Sequence, residues 1–162
     1  MIRIVEAGPG DREEVVSLVE RLLRELEERP DEFAGLDREK TLRDLAAAGS
    51  RFTAFLARTP EGEAVGVATL VETFAIYANG SYGVIDEMYV APDHRARGVG
   101  RQLIEAIKRH GRRKGWLRID VTAPAEERWR RTVKFYESQG FTFTGPKLRF
   151  RLDGAELPAE LS

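Results

Sequence analysis

Hydrophobic spacing along the chain switches repeatedly between the strand period and the helix period. Residues 2–6 read as a short strand, broken by Gly8-Pro9-Gly10. Asp11 with Glu14 three positions on marks a helix start of the capping-box type. Val15, Leu18, Val19, Leu22, Leu23 and Leu26 then recur at three- and four-residue intervals, an apolar stripe opposite a charged face, with Pro30 expected to end the helix. A second helix is predicted over 37–48, closed by Gly49. Segments 52–58 and 64–73 are β-rich and flank Thr59-Pro60-Glu61-Gly62, which predicts a hairpin. A strand over 82–90 stops at Ala91-Pro92-Asp93. Beyond it the pattern predicts a helix over 98–114, a strand over 116–121, a helix over 127–138, and a closing hairpin of 141–144 and 148–152 around Gly145-Pro146. This order implies an α/β domain: a mixed sheet with helices on both faces and a right-handed parallel strand–helix–strand crossover over 82–121.

Length and composition narrow the function. A chain of 162 residues fits one domain, and no repeat or linker divides it. Its 42% hydrophobic and 33% charged content excludes a disordered chain. No apolar run approaches the ~18 residues a membrane helix needs. The amino terminus lacks a basic flank followed by an apolar stretch, so a cytoplasmic location is expected. Twenty-six basic against 27 acidic residues argue against a whole-surface nucleic-acid binder. Without cysteine there are no disulfides, thiolate metal sites or cysteine-bound acyl intermediates, and two histidines, His94 and His110, are too few for a histidine-rich metal site. No metal is expected. Lys108, Arg109, Arg112, Arg113 and Lys114 read as a solvated face at a helix C-terminus, with a nucleic-acid or docking patch as the alternative.

The chemistry concentrates between residues 82 and 101. A β-branched strand feeds a polar loop and then Arg95-x-x-Gly98-x-Gly100 at a helix start. Glycines let backbone approach a ligand, and the first-turn N–H groups of a helix lack intrahelical acceptors, so this turn is a candidate anion site. Arg95, Arg97 and Arg101 add positive charge to it. A Walker A loop needs Gly-Lys-Ser/Thr, which is absent. A dinucleotide fingerprint needs a third glycine where Leu103 stands, although Asp120 sits near the expected ribose-binding distance, so a nicotinamide enzyme ranks behind the other readings.

Met88-Tyr89-Val90-Ala91-Pro92 followed by Arg95-Ala96-Arg97-Gly98-Val99-Gly100, and further on Phe135-Tyr136-Glu137-Ser138-Gln139-Gly140-Phe141, resemble the two core motifs of the GNAT superfamily of acyl-CoA-dependent N-acyltransferases. The resemblance implies a mostly antiparallel GNAT sheet and acetyl-CoA as co-substrate. It implies that the backbone of Val99, Gly100 and Arg101, with Arg97 and Gly98, holds the pyrophosphate. It also implies that the Met88–Tyr89–Val90 edge pairs with the pantetheine arm as an added strand. Arg95, Ala96 and Phe135 belong to the same motifs and join the cofactor-binding set. Where many members carry Asn and Ala, this chain has Trp129 and Thr132, which puts one cofactor contact in doubt. Acceptors of the family often enter between the first two helices, so Glu27, Glu28, Asp31 and Glu32 are either solvated charge or an acidic mouth. A homodimer is left open.

Amine acylation needs an uncharged amine, and one with a pKa of ~10.4 is neutral in only about one molecule in 2,500 at pH 7. A carboxylate is therefore expected near the acceptor. Asp86 and Glu87 precede the pairing edge, and strict alternation would send them to opposite faces; the resemblance leans to Asp86 as base. Tyr136 is the candidate acid for the leaving thiolate, with a core tyrosine as the plain alternative. The Met88 or Val90 N–H is the candidate donor to the carbonyl oxygen. The expected reaction is direct acetyl transfer to a primary amine in a ternary complex. A CoA-binding module without turnover and a basic-patch nucleic-acid binder are the alternatives.

Overall fold

The computed structural model describes residues 1–26, 35–122, 127–145 and 151–152. Five strands, β1 (Arg3–Glu6), β2 (Phe52–Arg58), β3 (Ala64–Ala75), β4 (Gly80–Val90) and β5 (Ile119–Val121), lie side by side in chain order. All neighbours are antiparallel except β4 and β5, which run parallel, as expected of a mixed, mostly antiparallel α/β sheet. The helices are α1 (Arg12–Glu25), α2 (Arg38–Ala48), α3 (Val99–Lys114) and α4 (Arg130–Ser138).

Alternation along β2 sorts the core into two layers. Ala54 and Leu56 meet Val15 and Leu18 of α1 on one face, whereas Phe55 and Ala57 meet the α3 side, with Val99, Leu103, Ile104 and Ile107, on the other. The same rule breaks in β4. Ile85 belongs to the α3 layer, yet Tyr89, four residues on, belongs to the α1 layer. The register gives the reason: Thr69 pairs with Glu87 while the next residue, Leu70, pairs with Ile85. Asp86 is thus an extra residue, a β-bulge that reverses the parity of the strand beyond it.

Several ends differ from the sequence expectation. Asp11 stands at the N-cap position of α1, but its carboxylate accepts from the Gly8 N–H at 2.8 Å and from Arg58 at 2.9 Å, so no side-chain cap forms there. Glu14 is also taken by Arg58, at 2.7 Å. Asp37 does cap α2, accepting from the Lys40 N–H at 3.0 Å. The strand expected from residue 116 begins only at Ile119, because Trp116 completes the end of α3: Gly115 is left-handed (φ 74°) and the Trp116 N–H donates to the Gly111 carbonyl at 2.9 Å. The expected strand over 141–144 is not formed. Phe141 is instead spent on α4, its N–H donating to the Tyr136 carbonyl at 3.1 Å and its ring meeting that of Tyr136 edge-on at 5.5 Å. Of the partner segment, residues 148–150 lie outside the described residues, and Arg151 and Leu152 are not in a strand. Pro30 also lies outside them.

Lys108 leaves the solvated basic face and donates to the Gln139 carbonyl at 2.6 Å, closing the C-terminus of α4, while Arg109, Arg112, Arg113 and Lys114 are exposed. His110 is buried between the Phe55 and Trp116 rings, and burial lowers its pKa. The Trp116 ring also sets the identity of residue 83. A Cβ on Gly83 would stand 2.4 Å from its Cζ3, and the indole is pinned by a 2.6 Å hydrogen bond from Nε1 to Glu72. Gly83→Ala is expected to cost about 1–3 kcal/mol as overpacking, read as a lower urea midpoint. A wild-type midpoint would show that the ring yields freely.

Candidate active site

The site begins at the turn between β4 and α3. Ala96 (φ 58°) and Gly98 (φ 79°) are both left-handed, which swings the chain into the helix. Holding a non-glycine residue there costs on the order of 1 kcal/mol, strain of the kind found where backbone is shaped for a ligand. The first α-type bond of α3 runs from the Gln102 N–H to the Gly98 carbonyl at 3.0 Å, so the N–H groups of Val99, Gly100 and Arg101 have no backbone acceptor among the described residues. The two glycines serve different ends. Gly98 is required by its backbone angle and has open space where a Cβ would go. Gly100 is required by packing, since a Cβ would lie 3.1 Å from Phe135 Cζ and 3.5 Å from Met88 Cε. Phe135 thereby locks α4 against the start of α3.

The arginines divide. Arg97 and Arg101 are exposed beside the turn. Arg95 turns away: it pairs with both carboxylate oxygens of Glu25 at 2.7 Å, donates through Nε to the Val90 carbonyl at 2.7 Å, and lies 5.5 Å from the centre of the Tyr89 ring. Tyr89 is itself a core residue of the α1 layer, so only its backbone belongs to the strand edge.

That edge is open. β4 pairs with β5 only through Gly83, Val84 and Ile85, and among the described residues no strand flanks it beyond that point. The Ala91 N–H donates to the Val65 carbonyl in β3 at 2.8 Å, so alternation points the backbone groups of Met88 and Val90 toward the open side. Tyr136 stands over the same place from α4. Its ring is held by Phe135 at 5.3 Å and by Phe141, and its hydroxyl reaches Met88 Sδ at 3.8 Å, a weak acceptor for a buried donor. Burial pushes the phenol up to about 12, so it remains a neutral donor.

The carboxylates sit on the other face. Because of the bulge, Asp86 and Glu87 share the α1 side instead of separating, and both line a cavity of about 540 Å³ together with Leu22, Leu23, Leu26 and Leu36. Strict alternation fails as a guide here because the extra residue is invisible in strand composition. Glu87 accepts a hydrogen bond from the buried Thr69 hydroxyl. Burial, the larger effect, raises the Glu87 pKa, Thr69 opposes it, and Asp86 raises it further. Thr69 escaped the sequence reading, although a hydroxyl inside the otherwise apolar run of β3 was a usable signal. The acidic residues Glu27, Glu28, Asp31 and Glu32 lie outside the described residues.

An acetyltransferase (GNAT) domain profile matches residues 50–143. The chain belongs to the GNAT family. No curated protein sequence gives a significant match. Solved structures resemble the GNAT fold seen here. An aminoglycoside acetyltransferase from an uncultured soil metagenomic sample superposes with a TM-score of 0.76 at 20% identity, covering 94% of this chain and 99% of that one. AAC(6')-Iy, in complex with the bisubstrate analogue CoA-S-monomethyl-acetylneamine, gives 0.73 at 23% identity, covering 93% and 97%. A ribosomal-protein-alanine N-acetyltransferase from Brucella melitensis biovar Abortus 2308 gives 0.71 at 20% identity, covering 93% and 100%. No helix among the described residues is long and apolar enough to cross a membrane, and these residues contain no group of three or more His, Asp or Glu placed to hold a metal ion.

The geometry of this GNAT site bears on a CoA thioester at three points. Among the described residues, three helix N–H groups without a backbone acceptor suit a pyrophosphate, an open strand edge suits an amide-bearing arm, and a buried hydroxyl beside a thioether suits a sulfur. The residues present fit the group.

Proposed function

We infer that this GNAT domain transfers an acetyl group from acetyl-CoA to a primary amine by direct attack. The observation that supports it best is the β-bulge at Asp86, which gathers two carboxylates on one face of β4 while Met88, Val90 and Tyr136 meet at the open edge on the other. When bound, acetyl-CoA supplies the acyl group as a thioester, whose carbon–sulfur bond breaks as the nitrogen–carbon bond forms.

The chain's own residues do the rest. Glu87, partly buried and raised in pKa, takes the proton of the acceptor ammonium directly or through water. This shifts the base assignment from Asp86, which lies more exposed on the bulge and stabilises positive charge at the mouth. The Met88 and Val90 N–H groups are the donors for the carbonyl oxygen, and Val90 is held in place by the Arg95 bond to its own carbonyl. Tyr136 gives its proton to the departing sulfur. The N–H groups of Val99, Gly100 and Arg101, flanked by Arg97, bind the pyrophosphate. Without a cysteine, no acyl-cysteine enzyme forms. Trp129 and Thr132 replace the Asn and Ala that many members carry, so the arm is held here by the strand edge.

Titration calorimetry with CoA, paired with thiol release from acetyl-CoA across an amine panel, tests the proposal. CoA is expected to bind, NAD is not, and thiol release is expected to require an amine. Binding without release for any amine would make the protein a CoA-binding module. Failure to bind CoA would end the proposal.

A further inference from the structure

The two parts of the cofactor site lie at opposite ends of a short loop. Val90 ends the open strand edge, and the left-handed turn at Ala96 and Gly98 leads into α3. CoA would join the two covalently, so their separation has to be set before it binds, because ordering a loop on binding costs affinity. Within the loop the His94 N–H donates to the Ala91 carbonyl at 2.9 Å and the Arg95 N–H to the Pro92 carbonyl at 3.2 Å. These bonds shape residues 91–95 but reach neither the strand edge nor the turn. The Arg95 side chain links both. Its Nε returns to the Val90 carbonyl, it stands next to the strained Ala96, and one terminal nitrogen reaches both Glu25 oxygens at 2.7 Å.

Ion pairs between half-exposed side chains usually contribute little, because two long side chains must be held in one geometry. Arg95 is restrained already, by the Val90 carbonyl and by the Tyr89 ring. That carbonyl keeps a second lone pair, so the bond does not close it to an incoming donor. Glu25 is the last residue of α1, a helix seated on the sheet through the buried Val15 and Leu18, so the outer end of the link is fixed to the core.

We propose that Glu25 is a positioning residue for the cofactor: acting through Arg95, it braces the loop over 90–98 and sets the separation of strand edge and anion turn that CoA spans. This rests on the CoA-binding reading above. It gives a role to a residue outside both motifs, 70 positions from its arginine.

The full-length wild type, Glu25→Ala, Arg95→Ala and the double variant are compared by titration calorimetry with CoA and by amide hydrogen exchange without it. Glu25→Ala is expected to raise the Kd for CoA about fivefold, the upper end for an exposed ion pair. Arg95→Ala also loses the Val90 bond and is expected to raise it about 20-fold. The double variant should match Arg95→Ala, since Glu25 acts through that side chain. Without ligand, the His94 and Arg95 amides should exchange about fivefold faster in Glu25→Ala, while the urea midpoint stays at the wild-type value because alanine suits a helix end. A wild-type Kd or unchanged exchange in Glu25→Ala, additive effects in the double variant, or an affinity loss that follows a lowered midpoint would each overturn the brace while CoA binding stands. A wild-type protein that binds no CoA would overturn that reading and the brace with it.

Discussion

Replacing Tyr136 with phenylalanine is expected to lower kcat about 100-fold while the unfolding midpoint stays close to wild type, a general acid contributing roughly 10²–10⁴. The two halves of this expectation come from different atoms. The ring contacts with Phe135 and Phe141 survive the substitution, and the hydroxyl gives up only a long contact to a thioether, so stability has little to lose. Catalysis loses the donor at the open edge. A phenol pushed up to about 12 stays protonated through the working range, so its ionisation imposes no alkaline limb below about pH 10. Its raised value does not bar proton transfer to sulfur, because the burial that disfavours phenolate equally disfavours a thiolate formed beside it. The KM for acetyl-CoA should change little. A wild-type kcat in the variant would reduce Tyr136 to a core residue.

Glu87→Gln is expected to cost about 10²–10³ in kcat/KM at neutral pH, again the range of a lost general base. The pH profile distinguishes this from general damage. Glu87 must be ionised to accept a proton, and its folded pKa is raised, so activity falls with decreasing pH through a limb displaced above the ordinary glutamate range. The variant should lose that limb. Thr69→Val gives a further check: the hydroxyl favours the ionised carboxylate, so its removal should raise the Glu87 pKa and move the limb to higher pH. Asp86→Asn is expected to act mainly on KM for the amine. Loss of the limb in Asp86→Asn and its retention in Glu87→Gln would return the base role to Asp86.

Much of the fold was legible because helical and strand periods hold over long stretches: the stripe of α1, the apolar side of α3, and the β2–β3 hairpin with its Thr59–Gly62 turn. The site was legible where it depends on residue type. A helix start with two glycines, an acidic pair before it and a Phe-Tyr pair after it are chemical signals in themselves. Three things were hidden. The extra residue in β4 has no composition of its own, so the facing of Asp86 and Glu87 was misjudged. Trp116 looked like strand because a bulky aromatic has high β-propensity, yet it closes a helix and covers Gly83. Arg95 looked like a phosphate ligand by proximity, but Glu25, 70 residues earlier in the chain, claims its guanidinium.

The inserted residue in β4 also bears on how the gene can vary. Removing the codon for residue 86 would restore an uninterrupted ladder in which Glu87, Met88 and Tyr89 still oppose Thr69, Ala68 and Val67 and keep their faces, so the α1 side of the strand would lose one of its two carboxylates while the layers on either side stayed as they are. The strand can therefore gain or lose a residue at this one position without turning its neighbours over, and what a deletion removes is the carboxylate the bulge carries.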